Sequence, residues 1–253
     1  MSLNNIFNAD IYEFETISST NDFAKQLCTN SPKNGTIIIS NEQTKGKGRL
    51  GNTWSSKKDK GLYFSIIFKC INIKSNYETL TLMISLAISD LLKTYSLNPK
   101  IKWPNDILID DKKVCGILCE LKQNSHENFI ICGIGINLYH DISDFDESII
   151  NKATSIILNT NIKIIKYEFI NNLISHLHTY YNNFINLSFK PFLDKYISLS
   201  SILNKEVCLK INGIDVSGIV DGFDEFGHLL LKRENKIIKV SSGEVTLKNT
   251  YKK

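Results

Sequence analysis

The chain lacks any run of 18 or more apolar residues, which excludes a transmembrane helix of ordinary length. Its opening residues, Met1–Asp10, carry no basic stretch followed by an apolar one, so no secretory signal is expected. Cysteine is sparse: Cys28, Cys70, Cys115, Cys119, Cys132 and Cys208 sit inside apolar runs and form no disulfide framework. That points to a reducing, cytoplasmic setting. Cys115 and Cys119 have neither a second pair nor a nearby His, so they are expected to be buried core thiols rather than metal ligands. The histidines are scattered, and His176 and His178, two apart on a predicted helix, do not share a face. There is no internal repeat or low-complexity tract. Excess charge is also small: a net +4 and a pI of 8.6 fall well short of a chain built to coat nucleic acid. The surplus of Asn, Ile and Lys carries no functional information.

What is present suits a soluble enzyme or binding protein. Hydrophobic residues make up 42% of the 253, enough for one large domain and a small one. Ile11–Phe14, Thr36–Ser40 and Gly61–Cys70 are predicted strands, and Ser18-Ser19-Thr20-Asn21 offers helix caps before Phe23, Ala24 and Leu27. Ser75–Glu78 forms a capping box. It opens a helix with Leu80, Ile84, Ala87, Ile88, Leu91 and Tyr95 on one face. Lys113–Leu121 and Phe129–Ile136 resemble an antiparallel hairpin, and Lys166–Phe184 a second amphipathic helix. After Ser200 the texture changes to five short predicted strands separated by turns.

Four segments carry chemistry. Gly46-Lys47-Gly48-Arg49-Leu50-Gly51 fits GxGxxG, but it runs into a polar stretch and then a strand, not into a helix. That context contradicts a dinucleotide fingerprint. What remains is a glycine loop with Lys45, Lys47 and Arg49, suited to a phosphate or carboxylate, or simply a solvated basic loop. Lys102-Trp103-Pro104-Asn105-Asp106 holds Asn105 and Asp106 in a turn. This is either a site for a base edge, metal or amine, or an ordinary Pro-Asn-Asp turn. Lys113 opens an apolar strand in which Gly116 suggests close approach by a ligand; the alternative is a strand-end Lys snorkelling to water. Gly133-Ile134-Gly135-Ile136-Asn137 likewise leaves room beside the backbone or marks a bulge.

Taken in order, Ser19-Thr20-Asn21, Gln43, GKGRLGNTW, KWPND, KVCGILCE and GIGINL resemble the catalytic domain of biotin–protein ligases. The resemblance spans most of residues 12–140 and extends by strand pattern to the C-terminus. It implies an α+β fold: a mixed sheet with helices mainly on one face (residues 1–200), followed by a small SH3-like barrel (residues 201–253). It implies ATP, biotin and Mg²⁺ as reactants and cofactor, and the biotin carboxyl carrier protein of acetyl-CoA carboxylase as acceptor. Ser19, Thr20, Asn21 and Gln43 would bind the biotin ureido ring. Lys47, Gly48 and Arg49 would belong to a loop closing over biotin and the adenylate, with Arg49 steadying charge in adenylation. Trp54 would lie near the adenine side. Lys113 would meet the biotin carboxylate and the α-phosphate, Asn105 and Asn137 the nucleotide and its metal-bound phosphates, and Asp106 would serve transfer.

The pattern is departed from at Lys47, where Arg is usual, and at Leu50 and Asn52, which replace further arginines. Bidentate phosphate contact is lost at Lys47 although the charge remains. A lipoate–protein ligase, a DNA-binding biotin sensor and a non-catalytic module are the competing expectations. The Ser19 motif follows only 18 residues, leaving no room for a winged-helix segment, so no specific DNA binding is expected. No membrane association is expected, and a homodimer is compatible with the family.

Overall fold

The structure is a computed structural model that describes residues 2–70, 77–211, 214–234 and 236–247. The capping residue Ser75 and the Asn212-Gly213 turn fall outside the described residues.

The first sheet follows from strands whose apolar residues alternate between two covered faces. Its strands are β1 (Ile11–Ile17), β2 (Thr36–Gln43), β3 (Gly61–Lys69), β4 (Lys100–Lys102), β5 (Asp106–Ile109), β6 (Lys112–Gln123) and β7 (Asn128–Asn137). Their spatial order is β1-β2-β3-β7-β6-β5-β4, with β1 and β2 parallel and the other pairs antiparallel. Along β2, Ile37 and Ile39 enter the main core while Ile38 enters a second cluster with Ala24, Cys28, Ile67, Phe129 and Ile131. That period of two explains why β3 reads as an unbroken apolar run: both of its faces are buried. The predicted hairpin is present as β6 and β7.

Helix α1 (Thr20–Leu27) covers the second cluster, its N-terminus capped by Ser19, whose side chain accepts from the Asp22 N–H. On the opposite face lie α2 (Tyr77–Thr94) and α3 (Lys166–Leu187), joined by the short α4 (Leu193–Leu199). The one-face expectation for α2 is corrected. Leu82, Met83, Leu86 and Leu92 are as buried as Leu80, Ile84, Ala87, Ile88 and Leu91. A helix apolar all round is one surrounded on every side. Its Ser85 and Ser89 survive burial by donating to the Leu82 and Ser85 carbonyls.

The C-terminal strands β8 (Glu206–Ile211), β9 (Ile214–Phe223), β10 (Leu229–Arg233), β11 (Lys236–Val240) and β12 (Val245–Leu247) form an antiparallel sheet in the order β11-β10-β9-β8-β12. Among the described residues no pairing joins β11 to β12, so the small barrel is represented by a five-stranded sheet. Val207, Leu209, Val220, Phe223, Leu229, Leu231, Val240 and Val245 belong to the same core as α2. Among the described residues no helix is long and apolar enough to cross a membrane. The six cysteines are free. Cys115 is buried as expected, whereas Cys119 is half-buried and faces Cys132 across the hairpin.

Candidate functional site

The site lies on the α1 face of the first sheet, where β6 and β7 present glycines in place of side chains. Gly116 and Gly135 are direct cross-strand partners, and Gly133 pairs with Leu118. A Cβ on Gly133 would stand 2.4 Å from Asn21 Oδ1, and one on Gly135 2.4 Å from Trp54 Cε2. On Gly116 it would meet Trp54 Cζ3 at 2.8 Å. The glycines therefore leave room for Asn21 and for the indole of Trp54, which packs against the sheet.

Ser19, Thr20, Asn21, Gln43, Lys47, Gly48, Arg49, Trp54, Asn105, Lys113 and Gly116 all line one narrow pocket. Its polar end is a hydrogen-bonded chain. The backbone N–H and hydroxyl of Thr20 lie 2.8 and 3.1 Å from Gln43 Oε1, and Gln43 Nε2 donates to Ser56 Oγ at 2.9 Å. Ser65 Oγ lies 2.7 Å from Thr20 Oγ1 and 2.6 Å from Asn21 Oδ1. Asn21 Nδ2 donates to Glu120 Oε2 at 2.9 Å, and Glu120 is paired with Lys25 at 2.7 Å. Ser56, Ser65 and Glu120 were not singled out from sequence. Ser65 was findable as a small polar residue in the middle of the apolar run LYFSIIF, and it is fully buried. A buried hydroxyl without a partner is costly, so one in such a run signals a network.

The glycine loop is folded down over this pocket. Lys47 is paired with Asp22 at 2.6 Å and bridges to Thr53. Arg49 Nη1 donates to Asn105 Oδ1 and to the Gly243 carbonyl, both at 3.2 Å. Leu50 at φ +54° and Gly51 at φ +80° make the tight turn between Arg49 and Asn52, closed by the Asn52 N–H donating to the Arg49 carbonyl, the second position being one that favours glycine. With the loop down, the free volume beneath it is only about 50 Å³.

Asp106 and Asn137, which do not line the narrow pocket, lie on a neighbouring cavity of about 510 Å³. Trp54 and Lys113 belong to the walls of both. Lys113 Nζ is 2.7 Å from Asp106 Oδ1 and 5.3 Å from the centre of the Trp54 ring. Asn105 Nδ2 donates to the Ile117 carbonyl at 3.1 Å, and Asn137 Nδ2 to the Thr154 carbonyl at 2.9 Å. The far wall holds His140, Asp144 and Phe145. Burial presses the His140 imidazole down to about 4, so it is neutral at pH 7. The hydrogen bond from Lys60 holds Asp144 at about 2. Among the described residues no three His, Cys, Asp or Glu side chains gather as a metal site. Chemically, the arrangement offers a polar slot, two cations and a roomy cavity beyond them.

Comparison with known proteins fits this geometry. Residues 13–137 match the Biotin/lipoate A/B protein ligase family and residues 202–248 the Biotin protein ligase C terminal domain. A biotin protein ligase from Aquifex aeolicus, solved in complex with biotin and ATP, superposes with a TM-score of 0.83 at 30% identity. That match covers 95% of this chain and 99% of the other. The bifunctional ligase/repressor BirA of Bacillus subtilis is 28% identical over 92% of this chain and 72% of its own length. The biotin–[acetyl-CoA-carboxylase] ligase of Mycobacterium tuberculosis is 25% identical over 91% and 86%. Near-complete coverage in both directions, with both domain models in order, means that this chain belongs to the biotin protein ligase family.

Proposed function

We propose that the chain is an ATP-dependent biotin–protein ligase that first makes biotinyl-5′-AMP and then biotinylates a lysine of an acceptor protein. The observation that carries this is convergence: segments spread from residue 19 to residue 116 line one pocket, with Lys113 and Trp54 facing the larger cavity beside it.

In the first step a biotin carboxylate oxygen attacks the α-phosphorus of ATP and pyrophosphate leaves. Ser19, Thr20, Asn21 and Gln43 suit the ureido ring, which needs donors and acceptors in a dry slot. Two anions approach each other in this step, so cations at the developing charge lower the barrier. Lys113 and Arg49 supply them. Mg²⁺ would neutralise phosphate charge when bound. It is commonly held by substrate phosphates with one or two carboxylates, which fits a cavity where Asp106 stands beside Lys113 and no carboxylate cluster exists among the described residues. In the second step the acceptor lysine amine attacks the acyl carbon and AMP leaves. Asp106 would accept that amine's proton once Lys113 engages the adenylate, a role supported by its 2.7 Å contact with Lys113. The closed glycine loop would keep water from the mixed anhydride.

The acceptor class we propose is the carrier domain of a biotin-dependent carboxylase, a reading supported by the name of the mycobacterial relative. The division of labour we propose runs 1–200 for chemistry and 201–253 for the small sheet, and the free thiols suit a cytoplasmic setting. The test is biotin-dependent exchange of pyrophosphate into ATP, followed by transfer of labelled biotin to a carrier domain. Exchange without dependence on biotin, or none at all, would sink the proposal.

A further inference from the structure

We infer that Glu120, held by Lys25, is a positioning residue that sets the direction of the hydrogen bonds behind the narrow pocket, so that Thr20 and Gln43 meet the ligand as acceptors for a ureido N–H. This rests on the ligase reading above and deepens it.

The contacts run inwards from Lys25. Its Nζ lies 2.7 Å from Glu120 Oε1, and Glu120 Oε2 lies 2.9 Å from Asn21 Nδ2. Asn21 Oδ1 is 2.6 Å from Ser65 Oγ, which is 2.7 Å from Thr20 Oγ1. Thr20 and Asn21 line the pocket, whereas Glu120 and Ser65 do not. Gly133, the cross-strand partner of Ser65, lacks the Cβ that would displace the Asn21 amide.

These partners leave one arrangement of protons. An ammonium only donates, and a carboxylate in an ion pair only accepts. Glu120 therefore takes the amide nitrogen of Asn21, and the Leu118 carbonyl at 3.4 Å draws that nitrogen to the same side. The Asn21 carbonyl is turned to Ser65 and claims its single hydroxyl proton. The 2.7 Å contact between Ser65 and Thr20 then has no proton but that of Thr20. Gln43 Oε1, the other acceptor near the Thr20 hydroxyl, is farther away at 3.1 Å and already receives the Thr20 N–H at 2.8 Å. The Thr20 proton thus points back to Ser65. Its oxygen and Gln43 Oε1 are left 3.1 Å apart with no proton between them, a pair of acceptors that an N–H donor would stabilise. A ureido ring carries such N–H groups. The dithiolane ring of lipoate carries none, so the relay separates the two substrates that the family description joins.

The experiment measures biotin-dependent pyrophosphate exchange for wild type, Glu120→Gln and the double variant Lys25→Met/Glu120→Gln. In Glu120→Gln the relay keeps its length but reverses. Lys25 takes the new amide oxygen, the new amide nitrogen faces Asn21, and Asn21 turns its carbonyl towards it. Ser65 then donates to Thr20, and Thr20 to Gln43, which closes the acceptor pair. Loss of one ligand hydrogen bond predicts a KM for biotin raised about tenfold, with kcat and the KM for ATP little changed. Removing Lys25 as well lets the amide turn back, the direction that the Leu118 carbonyl favours, so the double variant should recover most of the wild-type KM. A role in folding alone predicts no recovery, because the double variant has lost more contacts. Glu120→Gln with the wild-type KM for biotin, or with a raised KM that Lys25→Met does not rescue, overturns the inference while leaving the ligase reading intact. Should Glu120→Gln not fold, Ser65→Ala, which frees the Thr20 proton for Gln43, is measured in the same way, and a wild-type KM for biotin there overturns the inference too. A wild-type protein without any biotin-dependent exchange overturns the ligase reading, and this inference with it.

Discussion

Lys113 and Arg49 are the two cations we assign to the charge that develops in adenylation. Lys113 is paired with Asp106 at 2.7 Å, and Arg49 Nη1 donates to Asn105 Oδ1 and to the Gly243 carbonyl. Replacing either with Ala should slow adenylation by about 30- to 1,000-fold, the range for loss of a preorganised donor at developing charge. Arg49→Ala should also release the loop from Asn105 and Gly243, so that biotinyl-adenylate escapes and labels lysines indiscriminately. Pyrophosphate release and carrier biotinylation, followed separately, check both effects. Wild-type adenylation in both variants would remove these residues from the mechanism. Protons give a second prediction at this scale. His140 titrates near 4 when folded against an ordinary 6.5. Below 6.5 the unfolded chain gains a proton that the folded chain resists, so stability should be highest above 6.5 and fall as pH drops towards 4. In His140→Gln that fall should shrink, as thermal melts between pH 7 and pH 4.5 would reveal. Asp144, held at about 2, acts lower: its contribution is present above 4 and is lost as pH falls towards 2.

The β6–β7 hairpin is the element on which the site is drawn. Its glycines exist for neighbouring side chains, and Gly135 is the most confined, with Trp54 Cε2 2.4 Å from where a Cβ would stand. Gly135→Ala should push the indole off the sheet, because a fixed strand backbone moves less readily than a loop residue. The expected result is about 1–3 kcal/mol of lost stability from overpacking, together with slower exchange and a raised KM for ATP. A variant with unchanged melting and kinetics would mean that Trp54 is not confined by this strand. The sequence showed Gly116, Gly133 and Gly135, but not that Gly116 would stand opposite Gly135. Register is set by pairing between strands, which single-chain spacing does not report. The same limit hid Glu120 and the partners of Ser65, which meet Asn21 only when α1 is laid across β3 and β6. The order of the chemical motifs was legible because each is a compact run of unusual residues. Asp106 and Asn137, expected from sequence to belong with the other candidates, line the second cavity rather than the first. The single apolar face expected for α2 failed for a related reason: its other side is covered by α3, and at Leu82 by the Gly227 turn of the C-terminal segment, both distant in the chain.

That coverage decides how the whole molecule behaves. The match of residues 202–248 to a separate domain model suggests a detachable module. The packing says otherwise. Trp103 Nε1 donates to the Gly227 carbonyl at 3.0 Å, and a Cβ on Gly227 would stand 2.5 Å from Leu82 Cδ1. Tyr196 of α4 meets Phe223 edge-on at 5.1 Å. The second sheet also reaches the chemistry, because Gly243 receives Arg49 while Thr246 and Leu247 line the larger cavity. A chain ending at Ser200 would expose Leu82, Trp103 and Tyr196, each now nearly or fully buried. At about 1.5–3 kcal/mol for each large apolar side chain, that is a loss of roughly 5–9 kcal/mol. Net stabilities of whole proteins are only about 5–15 kcal/mol. The truncated chain should therefore lose fixed tertiary structure: near-UV circular dichroism should collapse, and no biotin-dependent exchange should remain. Adding residues 201–253 as a separate polypeptide should not restore activity, because the segment's own apolar face, from Val207 to Val245, would also be exposed in solution. A truncated chain that melts cooperatively and still exchanges pyrophosphate would show that the C-terminal sheet is an appendage, and that the Arg49–Gly243 contact has no part in closing the loop.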